Sequence, residues 1–141
     1  MNKPPDNHHK RPPLRKRPKE PVIASGIWYV DNWITPFLEL AFQQPRDGYR
    51  ALRLKIYRPP VADDQDCAQS VLIRAGATAI GEMAFPDGAG RFINTTLKLP
   101  HSRDAAQLNV SLRTSRVLRP QLPDRRQLGL VLLHCYPVRH V

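Results

Sequence analysis

With 141 residues the chain has room for one domain and hardly for two. Its 22 Lys and Arg against 12 Asp and Glu give a formal charge of +10, half of it on residues 1–21, where seven basic residues face two acidic ones. Two cysteines, Cys67 and Cys135, are too few for a disulfide scaffold. No apolar stretch reaches the roughly 20 residues of a membrane span, and prolines break up the basic start too often for a signal peptide. The expectation is a reduced, cytoplasmic protein without a transmembrane segment.

Residues 1–21 contain six prolines and, beyond Met1, one aliphatic residue, Leu14. Such a segment buries too little apolar surface to offset its ordering entropy, so a disordered basic arm is expected, followed by one domain over 22–141. Two kinds of role suit the arm: a solubilising leader or a linker remnant of a larger architecture, or a polyanion-binding tail for nucleic acid or an anionic membrane. No aromatic residue interleaves its charges to stack on bases.

A first strand is expected at Gly26–Val30, with a turn at Asp31-Asn32. Leu38, Leu40 and Phe42 recur on one face of 37–42. Residues 50–57 alternate, with Leu52, Leu54 and Ile56 inward and Arg53, Lys55 and Tyr57 outward, the period of a half-buried strand. An acidic loop with Asp63, Asp64 and Asp66 spans 59–69; it lacks the glycine and distal Glu of an EF-hand and reads as solvated. Strands follow at 70–75 and, after a tight connection at Gly76, at 78–85. Pro86–Gly90 is a turn. Residues 91–99 put Ile93, Thr95, Leu97 and Leu99 on one face. The polar stretch 100–106 has room for a helical turn, and 107–114 alternates with Leu108, Val110 and Leu112 inward. Asn94-Thr95-Thr96 and Asn109-Val110-Ser111 match the glycosylation pattern by chance in a chain read as unsecreted.

The closing stretch, 123–136, runs from a polar turn through Gly129 into the most apolar segment of the chain. It reads as a strand buried on both faces or nearly so and held mid-sheet between earlier strands. About eight short strands, turn signals every eight to twelve residues and no amphipathic helix describe an all-β, antiparallel, jelly-roll-like β-sandwich.

Catalytic chemistry finds no motif. His8, His9, His101, His134 and His140 form no metal-ligand spacing, and there is no nucleophile elbow or P-loop. His134 and Cys135 are neighbours on opposite faces of a strand, so they cannot act as a base–nucleophile pair. The reading is a non-enzyme without cofactor or metal. Trp28, Tyr29 and Trp33, with Asp31 and Asn32 among them, are the tightest aromatic cluster. A sugar platform is built from such groups, and so is a sandwich core. Asp31 beside Trp33, and Arg126 at the head of the closing strand, are placed to form a buried, charge-assisted pair that sets register.

Two ends of the domain carry a resemblance. Gly26-Ile27-Trp28-Tyr29-Val30-Asp31-Asn32-Trp33 is similar to a G-x-x-x-x-D-G-W opening, and Asp124-Arg125-Arg126-Gln127-Leu128-Gly129 to a D-x-R-x-L-G closing motif. Phe92–Pro100 and Leu108–Ser115 resemble the paired strands that precede that motif. Together they resemble small β-sandwich, carbohydrate-binding-like modules found beside or within bacterial glycosyltransferases of surface-polysaccharide pathways. Asn32 stands where that pattern has Gly, and Asn tolerates a positive φ next best. The resemblance implies a non-catalytic accessory module with glycan or a glycosyltransferase as partner, Trp28, Asp31 and Trp33 as carbohydrate-binding residues, and Asp31, Trp33, Asp124, Arg126 and Gly129 as the structural motif. A protein–protein adaptor is the other reading it leaves open.

Overall fold

A computed structural model describes residues 20–60, 68–86, 90–101, 106–120 and 122–140. The arm expected over 1–21 lies outside them except for Glu20 and Pro21. Most of the acidic loop, with Cys67, and most of the stretch 100–106 lie outside them too. Eight strands follow in order: β1 (Val22–Ser25), β2 (Phe37–Gln43), β3 (Ala51–Arg58), β4 (Gln69–Ala75), β5 (Thr78–Phe85), β6 (Arg91–Lys98), β7 (Gln107–Thr114) and β8 (Val131–Val138). Every pairing is antiparallel, and no helix occurs among the described residues. None is therefore long and apolar enough to cross a membrane.

The strands form two sheets, ordered β1-β2-β7-β4-β5 and β6-β3-β8. The runs 2-7-4-5 and 6-3-8 are the ordering of a jelly roll, with β1 added beside β2. Alternation explains why these segments are strands. Leu38, Leu40 and Phe42 of β2 face Leu52, Leu54 and Ile56 of β3 across the core, joined by Val71, Ile73, Val110, Leu112 and Leu132, all essentially without solvent contact. Each such side chain contributes ~1.5–3 kcal/mol through burial. The β4–β5 hairpin turns in two residues, with Gly76 at φ 59° in the first turn position and Ala75 paired to Thr78. That is the place a two-residue hairpin reserves for glycine.

Two expectations are corrected. The first strand is Val22–Ser25, not Gly26–Val30. Gly26 has φ 83°, and a Cβ there would run into the Phe37 backbone oxygen, so the chain turns where a strand was expected. The closing strand is not mid-sheet: β8 pairs with β3 on one side and ends its sheet on the other. Nor is it buried on both faces, since Leu133, His134, Tyr136 and Val138 are half-exposed. Pro137 in β8 fits an edge, because its missing N–H would interrupt a ladder on a central strand. The first residues of β8 are covered nonetheless. Backbone bonds join Leu130 O to Ile34 N (2.9 Å), Gly129 N to Ile34 O (2.7 Å) and Leu132 N to Asn32 O (2.8 Å).

Candidate functional site: a clasped hairpin and an aromatic sheet face

Residues 27–35 form a small hairpin that lies along the head of β8. Asn32 N donates to Tyr29 O (2.9 Å) and Tyr29 N to Trp33 O (2.8 Å), a tight turn closed by Asn32 at φ 74°. The left-handed residue sits where the resembled opening motif has Gly. Trp33 N donates to Asp31 Oδ1 (3.4 Å), which fixes the Asp side chain at the hairpin tip.

Arg126 reaches that tip from the closing segment. Its Nη1 and Nη2 donate to Asp31 Oδ1 (3.2 Å) and Oδ2 (3.0 Å). Its Nε and Nη2 donate to Asp124 (3.0 and 2.8 Å), whose Oδ1 also accepts from Arg126 N (3.0 Å). The guanidinium carbon lies 4.6 Å from the Tyr29 ring centre. One planar fork thus joins two carboxylates 93 positions apart and stacks on an aromatic ring. The hydrogen bonds from Arg126 hold both Asp carboxyls below their ordinary pKa, and the bonds to Asp124 first, then Asp31, raise that of Arg126. The clasp was expected to be buried; instead it lies at the surface, with side-chain exposures of 28 % for Arg126 and 48 % for Asp31.

The other motif residues take places in the fold. Trp28 packs against the core, and its indole N–H donates to Leu132 O (3.1 Å). Trp33 is half-buried and bridges Val131 through its backbone. Gly129 is buried; a Cβ there would come within 2.9 Å of Thr114 Cγ2 and 3.1 Å of Pro36 Cα, so a side chain would force the head of β8 away from the adjacent sheet. Cys135 is a free, buried thiol, and burial pushes its pKa up to about 12. No group of His, Cys, Asp and Glu able to hold a metal ion occurs among the described residues.

Sequence reasoning missed a different surface, the outer face of the β6-β3-β8 sheet. Register sets the rows: Tyr57 pairs with Phe92, Lys55 with Asn94 on one side and His134 on the other, and Arg53 likewise with Thr96 and Tyr136. A one-residue slip at Leu133 turns His134 and Tyr136 to this face while keeping Leu132 and Cys135 in the core. The Tyr57 and Phe92 rings stack with centres 4.3 Å apart, and those of His134 and Tyr136 lie 5.4 Å apart. Lys55 Nζ is 5.6 Å from the Phe92 ring centre. Phe92 is 60 % exposed. The signal in the sequence was Phe92 and Tyr136 on strand faces that also carry Asn94, Thr96 and His134. It becomes a surface only when three distant segments are set side by side.

A second, open basin lies at the opposite end of the sandwich, lined by Arg46, Asp47, Arg50, His101, Arg139 and His140. No Phe, Tyr or Trp lines it, and Asp47 pairs with Arg139 across it at 3.6 Å.

No protein-family model matches the sequence, and no curated protein matches it. Among solved structures, a carbohydrate-binding module studied for its specific recognition of mannan aligns over 82 % of this chain and 71 % of its own, at 11 % identity and a TM-score of 0.43. A likeness of that size assigns no ligand.

Proposed function

We propose that the domain is a non-catalytic, carbohydrate-binding-like module that takes saccharide on the outer face of the β6-β3-β8 sheet. The observation that carries this reading is the aromatic group there, exposed Phe92 on half-buried Tyr57 and half-buried Tyr136 beside His134, set among Asn94, Thr96, Arg53 and Lys55. Saccharides need apolar surface for their C–H groups and polar side chains for their hydroxyls, and large exposed aromatics mark binding surfaces. The clasped hairpin then acts as a structural element. Trp28 and Asp31 are engaged with Leu132 and Arg126, which leaves Trp33 as the hairpin residue to test for contact.

The link to bacterial surface-glycan synthesis, with a glycosyltransferase as neighbour, rests on the sequence resemblance. A cytoplasmic setting goes with it, in keeping with the free thiol of Cys135.

The test is an array of bacterial surface glycans probed with the full chain, Phe92→Ser and Trp33→Ala. Phe92 is exposed, so its replacement leaves the fold intact. Binding by the parent chain that Phe92→Ser loses and Trp33→Ala keeps is the expected result. Silence of the parent chain across the array refutes the reading, and loss in Trp33→Ala alone moves the site to the hairpin.

A further inference from the structure

The strands of the three-stranded sheet contain no Asp or Glu, against five Lys or Arg: Arg53, Lys55, Arg58, Arg91 and Lys98. The five-stranded sheet is balanced, with Glu39 and Glu82 against Arg74 and Arg113. Arg58 turns into the core, while Arg53, Lys55 and Lys98 share the outer face with the aromatic rings. Among the described residues none of these three takes part in an ion pair. Partial burial, then the charges of Lys55 and Arg53, lower the pKa of His134.

This face therefore offers many donors and few acceptors. A guanidinium brings five N–H donors and an ammonium three, while the acceptors are limited to Asn94, Thr96, His134 and the tyrosine hydroxyls. Neutral sugar hydroxyls donate as well as accept, and a site made for them needs acceptors too. A carboxylate only accepts, and the planar fork of Arg53 matches it in two parallel bonds. We propose that this face binds an acidic polysaccharide, with carboxylates of the chain held by Arg53 and Lys55 and its C–H surface against Phe92 and Tyr136. Arg53 and Lys55 are two residues apart on one strand, so their anchoring points are spaced by about 7 Å.

Single-stranded nucleic acid is the other polyanion such a face suggests. A base needs an open ring face to stack on. Here Tyr57 and Phe92 stack on each other, and His134 leans on Tyr136.

The proposal rests on the reading of this face as a saccharide surface, and the test separates the two. The full chain, with the seven Lys and Arg of residues 1–21 replaced by Gln so that they do not mask the result, is titrated calorimetrically with four probes. These are oligogalacturonate, its fully methyl-esterified form, a neutral mannan oligosaccharide and an oligo-dT of matched charge. Oligogalacturonate binds, more weakly as salt is raised. The ester binds at least about tenfold more weakly, and so does oligogalacturonate to the R53Q/K55Q double variant, whose Tm stays near the parent's. Equal binding of acid, ester and mannan, unchanged by R53Q/K55Q, overturns the acidic assignment and leaves the saccharide reading standing. Binding of oligo-dT that R53Q/K55Q abolishes, with oligogalacturonate silent, makes the occupant a nucleic acid and overturns it as well. If no probe binds, the acidic proposal fails, and the glycan array decides the saccharide reading by itself.

Discussion

Replacing Gln69 by Leu removes a knot of hydrogen bonds buried between the two sheets. Gln69 is 4 % exposed at the start of β4, and Arg58, at the end of β3, has no exposure at all. Gln69 Oε1 accepts from Arg58 Nε at 3.0 Å. Its Nε2 donates to Gly129 O at 2.9 Å and to Arg116 O at 3.2 Å. One amide thus ties β3 and β4 to both ends of the connection between β7 and β8. Leucine fills nearly the same volume and makes none of these bonds. A bond to a cationic donor is worth ~1.5–3 kcal/mol, and each bond to a carbonyl about 1. Added apolar burial returns ~1 kcal/mol. Gln69→Leu is expected to cost about 2–4 kcal/mol, a large share of the ~5–15 kcal/mol of a whole domain, and to lower Tm by roughly 8–15 °C. Urea unfolding followed by Trp28 and Trp33 fluorescence measures the cost. A double-mutant cycle with Arg58→Met apportions it, with an expected coupling of about 1–3 kcal/mol. A Gln69→Leu chain within about 0.5 kcal/mol of the parent, or strictly additive effects, refutes the account.

Gly26→Ala is expected to cost about 2 kcal/mol or more, because φ 83° disfavours any side chain and the added methyl meets Phe37 O and Thr35 Oγ1; thermal unfolding at the parent's Tm contradicts this. Arg126→Ala opens the clasp and lowers Tm modestly, as an exposed network does, and Arg126→Lys, a point charge in place of the fork, restores only part of it. The clasp also has an acid limit. The carboxyls of Asp31 and Asp124 are lowered by folding, so their contribution is full above the ordinary carboxylate pKa of about 4 and is lost as pH falls further. A loss of stability below pH ~4 that Arg126→Ala leaves unchanged argues against it. His134 acts in a higher window. Its folded pKa is depressed, so the unfolded chain takes up the proton first and stability drops as pH falls through about 6.5, levelling off below the folded pKa. His134→Gln flattens Tm between pH ~7.5 and ~5.5; an unchanged slope places the titration elsewhere.

Strand alternation was legible without coordinates. Leu52, Leu54 and Ile56, and likewise Leu108, Val110 and Leu112, lie on the core side because side chains two apart share a face, a rule contained within one segment. The pair of Asp31 with Arg126 was also legible, since it needs only a carboxylate in a turn and a guanidinium at the other end of the chain. Local pattern was less able to place β8. Its apolar run suggested a central strand, while Pro137 carried the contrary signal that an edge was intended. The residue after Tyr57 continues the inward series, yet an arginine there gives no hint of burial, because Gln69 and the carbonyls of Arg116 and Gly129 that make the pocket polar come from three other places.

Composition and spacing by themselves determined that the chain is an antiparallel sandwich with its charge concentrated at the basic start. Only the tertiary structure decided which strands are neighbours. It gathered Phe92, Tyr57, His134, Tyr136, Arg53 and Lys55 onto one face of a sheet whose strands carry no Asp or Glu. The physical reason is range. Alternation is enforced by backbone geometry over two residues, whereas cross-strand register is set by the packing of the whole core, and the binding surface exists only in that register.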